Sequence, residues 1–527
     1  MNKLYFFIVL SIVVISCKKE EKVIPAKKTE PLPAIIQTDE RKIQLDTALI
    51  GSFKSETLQK FYIASKNETV WGNLEKRTFI IDELKNSETL GLEPNDYNIT
   101  KLKDFESRIS KLNDTDLALY DVLLTYNFQK YLTHLHKGKL NPKKLYNDWD
   151  LNEKPFDVNT ILIKAFNDND LALTIEQSQP KTYTYKNLLK TLALLNEFPN
   201  DNINTIDIKD KVVLHDTNNA MITVKKRLLY WKDLTGRDSL TSIYDGKTFE
   251  AIKKFQTRHG LAADGVIGRG TVNALNFSKN KRKHQIIANI ERWKWYADTL
   301  AENYFIINIP DYSLNVVENK DTTVVRKIVV GTISRKTPIL TSTLKTVVLN
   351  PTWTVPPTIL KEDVVPAMKR NRNYLKNKNI TIYDKDNSVV EPNDWNENSP
   401  GRYRYVQSPG SSNSLGLMKI LFPNNHSVYL HDTNHRGLFG RSNRSLSSGC
   451  IRVENPLELA EHILDSNNWS KEKIDSIIVT KKTTNVRIAR KYAIYQWYWT
   501  AWSKDNSLQF RDDIYNLDAD LYAKLRN

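Results

Sequence analysis

The order of apolar and polar positions changes character several times along the chain. Residues 46–210 read as mainly helical, and DTDLALYDVLLTYNFQKYLTHLHKGKL is the clearest stretch. There Leu117, Leu119, Tyr120, Leu123, Leu124 and Tyr126 recur close to the 3.6-residue period of a helix. His134 and His136 stand two apart, which does not place them on one helical face, so they read as core or surface histidines. Residues 221–277 form a second, compact unit. In DGKTFEAIKKFQTRHGLAADGVIGRGTVNALN, Phe249, Ile252 and Phe255 share a helical face and Gly260 can end that helix. Asp264–Gly265 makes a turn, and a second short helix starts from Thr271.

From residue 284 the period shifts to strands. YFIINIPDYSLNVVENKDTTVVRKIVVGT alternates, is rich in β-branched residues and carries an Asn-Lys-Asp turn at 319–321, a hairpin pattern. TVVLNPTWTVPP (346–357) is another extended run, closed by prolines. Residues 358–405, with LKEDVVPAMKRNRNYLKNKN, interrupt the strands with a charged, partly helical segment before strand-like HSVYLHD (426–432). An insertion at that place is a candidate lid. The aromatic tail at 486–520, with AIYQWYWTAW, is expected to pack on the domain before it. The fold class predicted is multidomain α+β: a helical domain, a small three-helix module, and a mostly β domain with a partly helical capping insertion.

Length and charge sharpen this. A chain of 527 residues is too long for one core and predicts two to four domains. Its net charge of +16 suits anionic surfaces such as lipid headgroups, wall polymers or nucleic acid. The Lys runs are scattered rather than gathered into one reader helix, which disfavours nucleic acid; a solvated basic surface explains them equally well. At the N-terminus, MNKLYFFIVLSIVVISCKKEEK sets Lys3 before the almost wholly apolar stretch Leu4–Ser16, too short to span a bilayer and shaped like a signal-peptide core. VISC resembles a bacterial lipobox, which implies cleavage before Cys17 and a lipid on its thiol; the bland alternative is a secretory signal with an incidental cysteine. Residues 1–16 are then a lipoprotein signal peptide, and 17–45, rich in Lys, Glu and Pro, a lipidated tether. Either reading exports the protein.

Only one other cysteine exists, Cys450. With Cys17 acylated it has no disulfide partner, and an unpaired thiol in an oxidising compartment is a liability unless it has chemistry to do. In YLHDTNHRGLFGRSNRSLSSGCIRVENPLELAEHIL, His431 precedes it by nineteen residues. An imidazole can take the thiol proton, and a cation such as Arg452 favours the thiolate. Small Ser448 and Gly449 let the backbone approach a substrate carbonyl, so amide N–H groups beside Cys450 can form an oxyanion hole. ENPLELAEHIL reads as helical, so Cys450 is expected on an exposed turn between strand and helix. His431, His435 and Cys450 also make a conceivable zinc set, but HDTNHRG does not read as helical, so the H-x3-H spacing lacks its geometry and no metal is assigned.

These residues carry two resemblances. The FQ, GL, DG, IG and T-x-x-AL spacing of 221–277 resembles a peptidoglycan-binding domain of the PGBD-1 type. The H-D-T…S-x-G-C-I-R pattern resembles the YkuD-type L,D-transpeptidases, most closely their large YcbB-like branch. ANIERWKWY (288–296), VVGT…TP (329–338), NPTWTVPPTI (350–359), SPGSSNSLGLMK (408–419) and YWTAW…FRDDIYNLD extend that likeness over nearly the whole mature chain.

The resemblance implies a scaffold domain at 46–210, the binding module at 221–277, a catalytic domain at 284–483 with its cap at 358–405, and a C-terminal aromatic extension at 484–527. It further implies Cys450 as nucleophile and His431 as general base, with backbone donors from Gly449 and Cys450 and with Ser447, Ser448 and Arg452 shaping the site. Many small members have His immediately before the Gly-Cys; Ser448 stands there here, which removes a rival base. Tyr429 and Trp353 are candidate substrate contacts, although such aromatics more often belong to cores. Asp432, Thr433 or a backbone carbonyl could each orient His431.

The implied reaction joins peptidoglycan stem peptides into 3–3 cross-links without a cofactor. Water or a protein amine as acceptor, and a non-catalytic wall-binding lipoprotein, are the alternatives. The implied partners are stem peptides and glycan, the membrane through Cys17, and other cell-wall enzymes.

Overall fold

A computed structural model of the chain describes residues 42–236, 240–464, 468–504 and 507–527. The expected signal peptide, Cys17 and the expected tether as far as residue 41 lie outside the described residues. Residues 42–45, assigned to the tether from sequence, belong to the folded part. Leu45 is buried, and its N–H donates to the Asn67 carbonyl at 2.7 Å. Among the described residues no helix is long and apolar enough to cross a membrane.

Helices from Thr47–Ser52 to Leu171–Ser178 build the first core, with Leu58, Phe61, Tyr62, Ile80, Leu84, Phe128 and Leu162 inside it. Its axis is the helix Asp114–Lys137. Asn113 caps it by accepting the Asp116 N–H, acidic residues open it, and Lys137 closes it before Gly138, each in the sense the helix dipole favours. The helix is buried on more than one face, so polar residues go inside with partners. The Asp121 carboxylate accepts from the Tyr62 hydroxyl at 2.7 Å and from the N–H groups of Val70 and Trp71 at 2.8 Å, and burial raises its pKa to about 6. His134 contacts the Tyr97 hydroxyl at 3.0 Å, while His136 stacks on Phe156 with centroids 4.3 Å apart, so the two histidines share no site.

The three-helix module is present as Ala220–Tyr230, Gly246–Arg258 and Arg269–Leu275. The buried Arg258–Asp233 pair, with N–O distances of 2.5 and 2.8 Å, holds its helices together. Its apolar side is continuous with the core of the β domain, as is that of the helix Tyr183–Glu197.

Residues 284–295, expected to begin the strands, instead finish the helix Lys279–Trp295. Its periodicity is invisible because from Gln285 to Trp295 every residue is buried, so no polar face exists to mark the period. The polar side chains are partnered instead. Asn289 donates to Thr500 Oγ1 at 2.8 Å and Arg292 pairs with Asp518 at 2.5 Å. Toward the first core, Lys294 donates to the Leu90 carbonyl at 3.2 Å and Glu291 accepts the Leu140 N–H at 2.9 Å.

Strands begin at Asn303, apart from β1 (Trp149–Asp150). The main sheet further contains β2 (Asn303–Asn308), β3 (Ser313–Glu318), β4 (Asp321–Gly331), β5 (Ile339–Thr343) and β6 (Thr346–Leu349). A second, four-stranded sheet consists of β7 (Trp353–Thr354), β8 (Ile380–Tyr383), β9 (Val389–Val390) and β10 (Arg404–Gln407). The main sheet resumes with β11 (Met418–Leu421), β12 (Leu430–His431), β13 (Ser445–Ser447), β14 (Ile451–Val453), β15 (Thr484–Arg487) and β16 (Ala493–Trp497). Its order is β1-β5-β16-β2-β3-β4-β14-β12-β11-β6-β15, with β13 beside β4. The 319–321 turn joins β3 to β4, with Asn319 and Lys320 both at positive φ as a tight hairpin requires.

Two expectations change. The aromatic tail is no extension: β15 is an edge strand, and β16 lies inside the sheet between β5 and β2. Strand-like HSVYLHD contributes only Leu430–His431 to pairing. The cap is partly helical as expected, with helices at Pro357–Ile359, Val365–Arg370 and Tyr374–Asn377. Its sheet reaches back to Trp353 and forward to Gln407, and it has its own core of Val355, Val364, Met368, Leu375, Ile382, Trp395 and Tyr405. Within it, Leu360–Val364 forms a π-turn just ahead of Pro366, whose missing N–H cannot continue an α-helical ladder.

Candidate active site

The site is made by strand register. β12 and β14 run parallel with Leu430 opposite Ile451 and His431 opposite Arg452, and β11 sets Lys419 opposite His431 from the other side. Alternate residues of a strand share a face. Tyr429, His431, Cys450, Arg452 and Lys419 therefore gather on one face of the sheet. Cys450 sits in the turn between β13 and β14, a strand-to-strand turn rather than the strand-to-helix turn expected; the helix Pro456–Ile463 follows one strand later. The thiol is half-buried, not exposed.

His431 is buried, and its Nδ1 lies 2.5 Å from the backbone carbonyl of Asp432. A carbonyl can only accept, so Nδ1 carries the hydrogen and Nε2 keeps its lone pair. The orienting group is thus the backbone of Asp432. Its carboxylate is occupied elsewhere, accepting from the Leu417 N–H at 2.9 Å and from Arg436 at 3.1 Å. Thr433 turns away to cap the loop through the His435 N–H, and His435 is exposed. Burial, then the positive charges of Arg452 and Lys419, lower the His431 pKa to about 3, so the imidazole is neutral throughout the physiological range.

The thiol of Cys450 is pushed up by burial. Hydrogen bonds from the backbone and phenol of Tyr429, and the charges of Arg452 and Lys419, pull it partly back. Arg452 forms no ion pair among the described residues, and its Nε is buried without a hydrogen-bond partner. The Tyr429 phenol is kept neutral by burial, with Trp353 of the cap sheet pulling its pKa the other way. Both aromatics named from the sequence are therefore at the site. At rest this face thus holds a protonated thiol and a neutral imidazole. Alkylation of Cys450 by iodoacetamide is accordingly expected to climb with pH through and beyond the ordinary thiol range near 8.5, with no plateau below it. Lys419→Gln or Arg452→Gln should move the curve to still higher pH, because each removes a charge that favours the thiolate. A plateau near pH 6 would show a preformed ion pair instead.

The turn itself is tightly stapled. The Ser447 hydroxyl accepts the Gly449 N–H at 3.2 Å and donates to the Cys450 carbonyl at 2.6 Å. The expected Gly449 donor is therefore engaged inside the turn. Among the described residues none accepts the Cys450 N–H, which leaves that amide available to an oxyanion. Gly449 has φ +111°, a conformation side-chain-bearing residues avoid. Its carbonyl accepts from Thr337 Oγ1 at 2.8 Å, which in turn accepts the Gly331 N–H at 2.8 Å. Tyr515 finishes the brace: its hydroxyl accepts the Thr337 N–H and donates to the Gly331 carbonyl, both at 2.9 Å. Gly331 has no room for a Cβ, which would meet the Arg335 carbonyl at 2.1 Å.

Sequence reasoning passed over Lys419, Thr337, Tyr515 and Arg335. The first sits in a quoted stretch, GLMK, where strand alternation toward His431 was the only available signal. The others depend on pairings distant in sequence.

Three stretches match known families. Residues 56–192 match a scaffold domain, residues 217–275 a domain described as "Putative peptidoglycan binding domain", and residues 302–488 the L,D-transpeptidase catalytic domain YkuD. A protein of Haemophilus influenzae named "Putative L,D-transpeptidase" is 36% identical over 266 residues, 49% of this chain and 54% of that protein. The chain thus spans about half the length of the curated relative it matches. Among solved structures, the L,D-transpeptidase of Xylanimonas cellulosilytica is 12% identical with a TM-score of 0.19, covering 55% of this chain and 99% of that one. That of Stackebrandtia nassauensis is 11% identical with a TM-score of 0.21, covering 56% and 96%.

Proposed function

We propose that this chain, with an L,D-transpeptidase catalytic domain beside a peptidoglycan-binding module, joins peptidoglycan stem peptides in the bacterial cell envelope through a thioester on Cys450. The observation that carries the reading is the single sheet face holding a thiol, a neutral imidazole and an unused backbone N–H. Sγ attacks the carbonyl of the L-to-D bond of a donor tetrapeptide while His431 Nε2 takes the thiol proton. The Cys450 N–H stabilises the oxyanion, and D-Ala departs with the proton returned by His431. An amine of a second stem then gives a proton to His431 and attacks the thioester, releasing the thiol and leaving a 3–3 cross-link. No external energy source is needed, because the thioester conserves the energy of the broken amide. The cap of 353–407 keeps water from taking the acyl group first. Arg452 and Lys419 favour the thiolate, while Tyr429 and Trp353 line the donor's path. Cys17, lipidated, would hold the enzyme at a membrane.

The test is incubation of the protein with a disaccharide tetrapeptide, products being followed by mass spectrometry. Dimers that disappear with Cys450→Ala are expected. Monomeric tripeptide alone would assign water as the acceptor. Unchanged substrate together with retained binding to sacculi would reduce the protein to a wall-binding one.

A further inference from the structure

One guanidinium in this site serves two masters. Arg335, on the loop between β4 and β5, donates from Nη1 to the Ser448 hydroxyl at 2.9 Å, two residues before Cys450. The rest of its fork is filled by the cap. Nε and Nη2 reach Glu362 Oε2 at 2.9 and 2.6 Å, and Nη1 and Nη2 reach the two oxygens of Asp363 at 2.7 and 3.0 Å. Both acids lie on the π-turn of the cap, and among the described residues neither pairs with any other cation.

The charges do not balance. Two adjacent carboxylates face one positive charge, so one of them is surplus and repels the other. The Arg335 side chain is only 20% exposed, whereas those of Glu362 and Asp363 are 50% and 46% exposed. The cation is thus built in beside the nucleophile, and the anions over it are half in water, where ion pairs hold weakly and exchange readily. A planar fork of this kind is matched by any carboxylate that arrives in its plane. Under the reaction proposed above, the donor brings one to this place: the terminal carboxylate of the leaving D-Ala lies one residue beyond the carbonyl that Cys450 attacks.

We propose that Arg335 is the receptor for the carboxylate of the leaving residue, and that Glu362 and Asp363 occupy it until the donor stem takes their place. This rests on the transpeptidase reading. Closing the cap and binding the donor then compete for one guanidinium. A substrate ending in a carboxylate opens the cap as it docks, whereas one without it meets a cap still latched.

The experiment compares a donor tetrapeptide with the same peptide carrying a C-terminal amide, by kcat/KM, in the full chain. The wild type should prefer the acid by about tenfold or more, which corresponds to about 1.4 kcal/mol, and Arg335→Gln should lose that preference. The isosteric double variant Glu362→Gln, Asp363→Asn should lower KM for the acid with little change in kcat. It should also speed hydrogen exchange in 358–370 without substrate, an effect a purely structural role at Cys450 would not produce. Equal iodoacetamide labelling of Cys450 in all variants checks that the site is folded. Turnover with an acid preference unchanged in Arg335→Gln, or a double variant with unaltered KM and exchange, overturns this proposal and leaves the transpeptidase standing. Absence of wild-type turnover on either peptide removes both.

Discussion

His431→Ala is expected to slow acylation of Cys450 by a donor tetrapeptide by about 10²–10⁴-fold, the span general-base catalysis commands. The reason is the resting protonation state. Burial raises the thiol's pKa, so in the proposed reaction Cys450 would hold its proton when a donor arrives and would have to lose it as the carbon–sulfur bond forms. His431 is the neutral acceptor on that face; Arg452 and Lys419 carry positive charge and can favour the thiolate without receiving its proton. Because the Asp432 carbonyl fixes Nδ1 as the donor, Nε2 is the atom the proposed reaction would use, and a side chain without a ring nitrogen there would have no substitute. The measurement is the single-turnover rate of mass gain on the intact protein. A loss smaller than tenfold would move the base elsewhere, and Lys419, whose pKa burial lowers, would be the next residue to test.

Gly449→Ala is expected to cost about 10²-fold in the same rate, the order that a displacement of about 1 Å at a nucleophile produces, with only a small change in thermal midpoint. Space is not the obstacle: an added Cβ would lie 3.4 Å from the Lys336 carbonyl, an ordinary contact. The obstacle is φ +111°, which an alanine holds only at a strain of about 1–3 kcal/mol. The turn will relax rather than hold it, and relaxation undoes both the Ser447 staple and the Thr337 bond that aim the sulfur. Circular dichroism melting beside the acylation rate separates this local effect from unfolding. A variant that melts far lower, or that acylates normally, would contradict it.

What the sequence revealed and what it hid follow from distance along the chain. Cys450 and His431 could be singled out as candidates from residue type and motif, and the register sets them on one face; the hairpin at 319–321 was legible because its turn is local. Lys419 was hidden, since only the β11–β12 register turns it toward His431. The helix Lys279–Trp295 was hidden by burial on every side, which erases the very pattern that marks a helix. The tail AIYQWYWTAW was recognised as something that packs, but nothing in ten residues says that it packs between two strands rather than upon them. Asp432 illustrates the finest limit: its carboxylate, Thr433 and a backbone carbonyl stood as equal candidates in the sequence, and the fold selects the Asp432 backbone oxygen.

The place of β16 also sets a timetable. Synthesis proceeds from the N-terminus, and β5 and β2 exist for well over a hundred residues of growth before the strand that separates them. Until Ala493–Trp497 emerges the sheet has a gap, and until Tyr515 emerges the brace behind Gly449 is open. A nascent chain, or one clipped after β15, therefore carries every residue of the reactive motif while the sheet beyond β2 and the Tyr515 part of the brace are still missing.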